Sequence, residues 1–150
     1  MKDEITISEV VATYRRPITT RPLVRFPEHV ANLFRRIIDV DDTREHMIVF
    51  HLDGNHTVTN YNIAAIGTAN FCSIHPREIF QPALLNGAVS IVIAHNHPSG
   101  SCSPSREDRD VTHRMNQIAG LLKITLLDHV IVTANDYCSL RDIGEFQPSC

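Results

Sequence analysis

Residues 95–108 read HNHPSGSCSPSRED, and no other stretch restricts the fold as tightly. Just before it, Ala88 to Ala94 (AVSIVIA) is a short apolar run rich in β-branched residues, the pattern of a buried strand. It follows the turn pair Asn86-Gly87. Pro98-Ser99-Gly100 then turns the chain. Ser105 stands as the natural N-cap of a helix in which Val111, Met115, Ile118, Ala119 and Leu122 form one apolar stripe. Strand, turn and capped helix in that order point to an α/β architecture.

The same stretch carries chemistry. Positions i and i+2 of an extended segment share a face, so His95 and His97 leave the strand end on one side. Asp108 falls in the first helical turn, close to the loop that holds them. Two imidazoles and a carboxylate are the three-ligand set with which a catalytic zinc keeps its fourth position for water, whereas a structural zinc takes four protein ligands. The spacing HxHx7Sx2D therefore predicts a Zn2+ site on His95, His97 and Asp108. Ser105 to Asp108 is also a plain capping box, in which the acid reaches back to the N-cap amide. One carboxylate oxygen on the ion and the other on the helix terminus satisfies both readings.

These residues resemble a known family. HxHx7Sx2D is similar to the signature of the JAMM (MPN+) metallopeptidases. HPRE at 75–78, AHNHPSG at 94–100, PSREDRDVT at 104–112 and LLDHVIV at 126–132 resemble its RadC-like branch, in order, from about Glu45 to Gly144. Members usually carry an acidic or other polar residue after HNHPSG; Ser101-Cys102 stands there in this chain. The resemblance implies a cytidine-deaminase-like (JAMM/MPN) fold, with a three-layer mixed β-sheet and helices on both faces. It also implies a catalytic glutamate upstream, on a strand beside the histidine strand. Glu45, which opens EHMIVFHLD before the Asp53-Gly54-Asn55 turn, is the matching position. Zinc lowers the pKa of a water it holds from about 15.7 to about 7, and a carboxylate alongside can take the proton and pass it to a leaving amine. Taken alone, Glu45 is equally an exposed charge at a strand end. By the same resemblance Ser105 would donate to the oxyanion of a tetrahedral intermediate, a contribution of about 3 to 4 kcal/mol in other enzymes. As an N-cap alone it stabilises the helix by about 1 kcal/mol.

With 150 residues, 43% of them hydrophobic, the chain suffices for one well-packed domain. We expect an N-terminal strand and basic arm over residues 1–26 and a RadC-like JAMM/MPN domain over 27–150. No apolar run approaches a membrane span, and MKDEITISEV lacks the pattern of a secretory signal, so a cytoplasmic protein with no membrane partner is the expectation. Cys72, Cys102, Cys138 and Cys150 show no CxxC pair, which argues for reduced thiols. Cys102 lies in the loop between His97 and Asp108, where it either competes for the metal or is simply a small loop residue.

Elsewhere, Ile5 to Tyr14 suggests an edge strand, and residues 15–27 form an extended arm with Arg15, Arg16, Arg21, Arg25, three prolines and no acid. Pro27 starts a helix with Val30, Leu33, Phe34, Ile37 and Ile38 on its apolar face. Thr57 to Ile66 reads as the second strand of a hairpin, with a bend or bulge at Gly67-Thr68 before Phe71 to Ile74. A helix follows from Pro76, with Ile79, Phe80, Ala83 and Leu84 on its buried side and His75 as local cap or groove residue. Ile124 to Thr133 is a strand containing His129, whose facing alternation leaves open, and a last short strand covers Tyr137 to Leu140.

Two function classes compete. One is a zinc hydrolase acting on a peptide or protein-conjugate substrate, with Glu45 as general base and acid. The other is a DNA-repair or DNA-associated accessory role of the RadC type, with nucleic acid touching the basic arm. Physical support for the second is thin, since 14 Lys and Arg against 17 acids leave a net charge of -3. The letters HNH at 95–97 do not make the spread ββα geometry of the nucleases of that name.

Overall fold

Alternating burial along the central strands divides the interior into two cores. On β1 (Glu45–Leu52), Met47 and Val49 enter one core while Ile48, Phe50 and Leu52 enter the other. On β3 (Ser90–Asn96), Ile91 and Ile93 join the first core, Val92 and Ala94 the second. Both strands are buried along their whole length, as befits a sheet covered on two sides. The other strands are β2 (Val58–Gly67), β4 (Thr125–Val132) and β5 (Tyr137–Ser139). The computed structural model, which describes residues 21–40, 42–67 and 74–149, orders them β2-β1-β3-β4-β5 in one sheet. Only β3 and β4 run parallel; every other neighbouring pair is antiparallel.

Helix α1 (Pro27–Ile37) begins on Pro27, whose missing N–H would have had no partner at that position. Its Val30, Ala31 and Phe34 pack on the second core with Val92, Val130 and Val132. Helices α2 (Pro76–Leu85) and α3 (Arg106–Leu122) cover the opposite face through Ile79, Phe80, Ala83, Val111, Met115 and Ala119. The expected mixed three-layer α/β architecture is thus observed. Three details differ from the sequence reading. Leu84 is 51% and Leu122 37% exposed, because each stands in the last turn of its helix, beyond the residues that pack on the sheet. β3 begins at Ser90 rather than Ala88, whose amide is taken by the Ala83 carbonyl (3.0 Å) at the exit from α2.

Leu23 bridges antiparallel to Thr57, and the Val58 amide donates to the Pro22 carbonyl (2.9 Å), so the end of the predicted arm runs beside the start of β2. Arg21 and Arg25 are exposed. The predicted strand Ile5–Tyr14, the arm up to residue 20, the bend at Thr68 and residues 71–73 lie outside the described residues. Among the described residues no helix is long and apolar enough to cross a membrane.

A polar hub joins β1, β2 and α2. Pro82 sits inside α2 and has no N–H for the Glu78 carbonyl, which accepts instead from Asn62 Nδ2 (3.1 Å). The Asn62 Oδ1 accepts from His51 Nε2 (2.8 Å), and Asn86 Nδ2 donates both to His51 Nδ1 and to the Pro82 carbonyl. These partners fix His51 as the neutral Nε2–H tautomer, and its 1% exposure holds the ring pKa down to about 4, chiefly through desolvation. The unfolded chain protonates this ring near 6.5, so between the two values the unfolded state binds more protons. The hub's contribution is complete above pH 6.5 and is lost as pH falls toward 4, a change of about 3 kcal/mol. Urea denaturation at pH 7 and pH 4.5 should show a steeper loss of stability in the wild type than in His51→Gln. Equal losses in the two proteins would refute the assignment.

Candidate metal centre

Strand parity and pairing register bring the candidate residues together. Glu45 shares its face of β1 with Met47 and Val49, His95 its face of β3 with Ile91 and Ile93, and His129 its face of β4 with Ile131. Met47 pairs with His95 across β1 and β3, and Ile93 with His129 across β3 and β4. All three side chains therefore face the layer that holds α3. His97 lies one step beyond β3; its amide donates to the Val132 carbonyl (3.1 Å) and its carbonyl accepts from Gly100 (3.1 Å). Gly100 takes φ 81°, a left-handed conformation that suits glycine, and this closes the turn. The chain then reaches Ser105, the N-cap of α3.

The predicted metal donors converge. His95 Nε2 lies 2.9 Å from His97 Nε2 and 3.1 Å from Asp108 Oδ1, and His97 Nε2 lies 3.3 Å from Asp108 Oδ2. One donor atom from each residue falls within 4.8 Å of the others, so the group could hold a metal ion. A tetrahedral ion with bonds of about 2.0–2.1 Å has ligand–ligand edges of about 3.3 Å, and the distances from His95 Nε2 to His97 Nε2 and to Asp108 Oδ1 sit just under that edge. His97 Nδ1 donates to the Ser101 carbonyl (2.8 Å), which leaves the Nε2 lone pair pointing at the cluster.

Electrostatics fit the same use. Burial pushes Asp108 upward, but the His95 and His97 rings beside it win and hold its carboxyl far below the usual range. Burial, helped by the His97 charge and opposed by Asp108, lowers His95. It also lowers His97, yet Asp108, the Ser101 carbonyl and Glu45 outweigh it and raise that ring. Such a cluster keeps an anionic carboxylate ready for a cation.

Asp108 also completes the capping box: Ser105 N donates to its Oδ2 (2.7 Å), and its amide donates to Ser105 Oγ (3.0 Å). The cap half of the dual use expected of this carboxylate is thus observed. Ser105 is exposed at the helix end. Its bond from Asp108 occupies a lone pair, so the hydroxyl hydrogen can donate elsewhere. Arg109 secures this corner by donating to the Pro104 (2.8 Å) and Ser105 (3.1 Å) carbonyls while pairing with Glu145 (2.8 Å).

Glu45 is 8% exposed, and its Oε2 is buried with no hydrogen-bond partner among the described residues. It is not the exposed strand-end charge that its position alone permits. Burial, aided by the Asp108 charge and opposed by His97, raises its carboxyl above the ordinary value. An unsatisfied buried oxygen costs about 1–3 kcal/mol or more, and sites retain one where a missing ligand completes it.

Residues beyond the predicted donors support this centre, and the sequence reading missed Asn96 among them. Asn96, between the two histidines, accepts from the His46 amide (2.7 Å) and donates to the Arg44 carbonyl (3.0 Å). Its amide therefore grips the backbone on both sides of Glu45. His129 turns out to be fully buried against the site, with Nε2 2.7 Å from His95 Nδ1 and Nδ1 2.6 Å from Thr112 Oγ1. Burial depresses its basicity well below that of a free imidazole. His75 is a local cap, its Nδ1 accepting from the Arg77 amide (3.3 Å). Cys102 is not among the clustered donors; it packs half-buried against the core, and burial, with Asp136 beside it, raises its thiol.

Comparison with known proteins agrees with the geometry. A UPF0758 protein of Rubrobacter xylanophilus is 43% identical over 125 residues, which cover 83% of this chain and 54% of that protein. UPF0758 proteins of Chlorobaculum tepidum (45% over 102 residues; 68% of this chain, 46% of that protein) and Bacillus licheniformis (39% over 128 residues; 83% and 55%) are also similar. The chain spans about half the length of these curated relatives. The family model described as the RadC-like JAB domain matches residues 24–145, and with the relatives it establishes that the chain belongs to that family.

Proposed function

We propose that this protein is a zinc-dependent hydrolase of peptide or isopeptide bonds, with the ion held by His95, His97 and Asp108. One observation carries the reading: a three-donor cluster of catalytic-zinc composition lies on the same side of the sheet as a buried glutamate whose Oε2 has no partner among the described residues. A bound zinc ion would supply Lewis acidity, bringing the pKa of water from about 15.7 to about 7 and polarising a carbonyl.

The chain's own residues do the rest. Glu45 accepts a proton from the water that attacks the carbonyl carbon, and returns it to the amine nitrogen as the carbon–nitrogen bond breaks. Its raised pKa goes in the direction that a proton carrier near neutral pH needs. Ser105 donates its hydroxyl hydrogen to the oxyanion from the mouth of the site while its oxygen still caps α3. Asn96 fixes the backbone that carries Glu45.

Zinc at a hundred times its dissociation constant should stabilise the wild type by about 2.7 kcal/mol, and His97→Ala should lose most of that gain in a thermal melt. Against a peptide and isopeptide library, Glu45→Gln should cut turnover by about a hundred- to ten-thousand-fold while metal content stays at the wild-type level. Ser105→Ala should cost about a hundred- to a thousand-fold in kcat for about 1 kcal/mol of stability. Asn96→Ala should lower kcat more than it lowers zinc affinity, because it frees Glu45 rather than a ligand. Hydrolysis of DNA that persists in Glu45→Gln and His95→Ala would instead favour the DNA-associated role.

A further inference from the structure

We infer that Thr112 and His129 are positioning residues which set the tautomer of His95, and so aim its Nε2 lone pair at the metal position through a chain of one-way hydrogen bonds. This rests on the zinc reading above and extends it to two residues outside the proposed ligand set.

The direction follows from what each atom is able to do. The Asp108 carbonyl can only accept, and Thr112 Oγ1 lies 2.6 Å from it in the i to i-4 position along α3. The single hydroxyl hydrogen of Thr112 is therefore committed to that carbonyl. Toward His129 Nδ1, 2.6 Å away, Thr112 has only lone pairs to offer. His129 must then carry its proton on Nδ1. A fully buried imidazole stays neutral, so its Nε2 is left as an acceptor. At 2.7 Å it receives a proton from His95 Nδ1. His95, protonated on Nδ1, presents a bare Nε2 to His97 and Asp108.

A metal-binding histidine commonly donates its other N–H to a carboxylate, carbonyl or water. Here the acceptor is a second imidazole, which works in one tautomer only. Thr112 removes that ambiguity, and its hydrogen ends on the backbone of Asp108, itself a member of the donor cluster. The ligand histidine and the ligand aspartate are thus tied to each other by a route that avoids the ion.

Two measurements test this. Histidine 15N spectra of the wild type should show Nδ1–H on both His95 and His129; an Nε2–H tautomer on His129 overturns the proposal. Zinc dissociation constants measured by chelator competition should rise about 10- to 100-fold in Thr112→Val and His129→Gln, and stay near the wild type in Thr112→Ser, which keeps the hydroxyl. Unchanged affinity in Thr112→Val, with wild-type uptake intact, also overturns it. A wild-type protein that takes up no zinc would sink the hydrolase reading instead, and the 15N spectrum, which needs no metal, still decides the relay. The spectrum likewise decides it if His129→Gln fails to fold.

Discussion

The carboxylate of Asp108 is the interaction on which the rest of the site depends. It closes the N-terminus of α3 through Ser105 and faces both histidine rings, while the backbone carbonyl of the same residue accepts the last bond of the Thr112 chain. A helix terminus has unpaired N–H groups that attract negative charge, and a pair of imidazoles attracts it again from the other side. The same atom group therefore serves local helix stability and the cation site without conflict. Moving α3 by a turn would keep its cap but carry the carboxylate away from both rings, which makes the packing of Val111, Met115 and Ala119 on the sheet a condition for the cluster.

The sheet provides the second condition. Glu45, His95 and His129 come from three different strands, and they meet because antiparallel β1–β3 and parallel β3–β4 pairing place residues of like parity at one end of one face. That end is where β3 hands over to its loop. In open α/β sheets, ligand sites commonly form at this carboxyl edge of parallel strands, and here the edge is built by β3 and β4.

Much of this was legible in the sequence because it is local. The donors His95, His97 and Asp108 lie within one strand–turn–helix unit, and capping chemistry at Ser105 fixes where the helix starts. Glu45 was found through a family pattern, not through spacing. Asn96 was invisible because its bonds go to backbone atoms some 50 residues away, and any side chain can flank a backbone amide. His129 stayed ambiguous for a related reason: alternation gives parity but no origin. The shift in pairing between Ile91 and Val92 decides which parity faces α3. Leu84 and Leu122 were misplaced because periodicity describes a helix face and says nothing about where the sheet beneath it ends.

The two histidines of the candidate centre are held to different degrees. His95 lies within a strand, wholly enclosed, its Nδ1 held by the buried His129, whereas His97 sits past the strand end, its side chain 12% exposed and its Nδ1 held by a carbonyl of a serine-rich loop. The centre thus has a fixed jaw and a yielding one. An ion bound there would enter and leave on the yielding side, and the loop from Pro98 to Pro104, more than the sheet, would set the pace of its exchange.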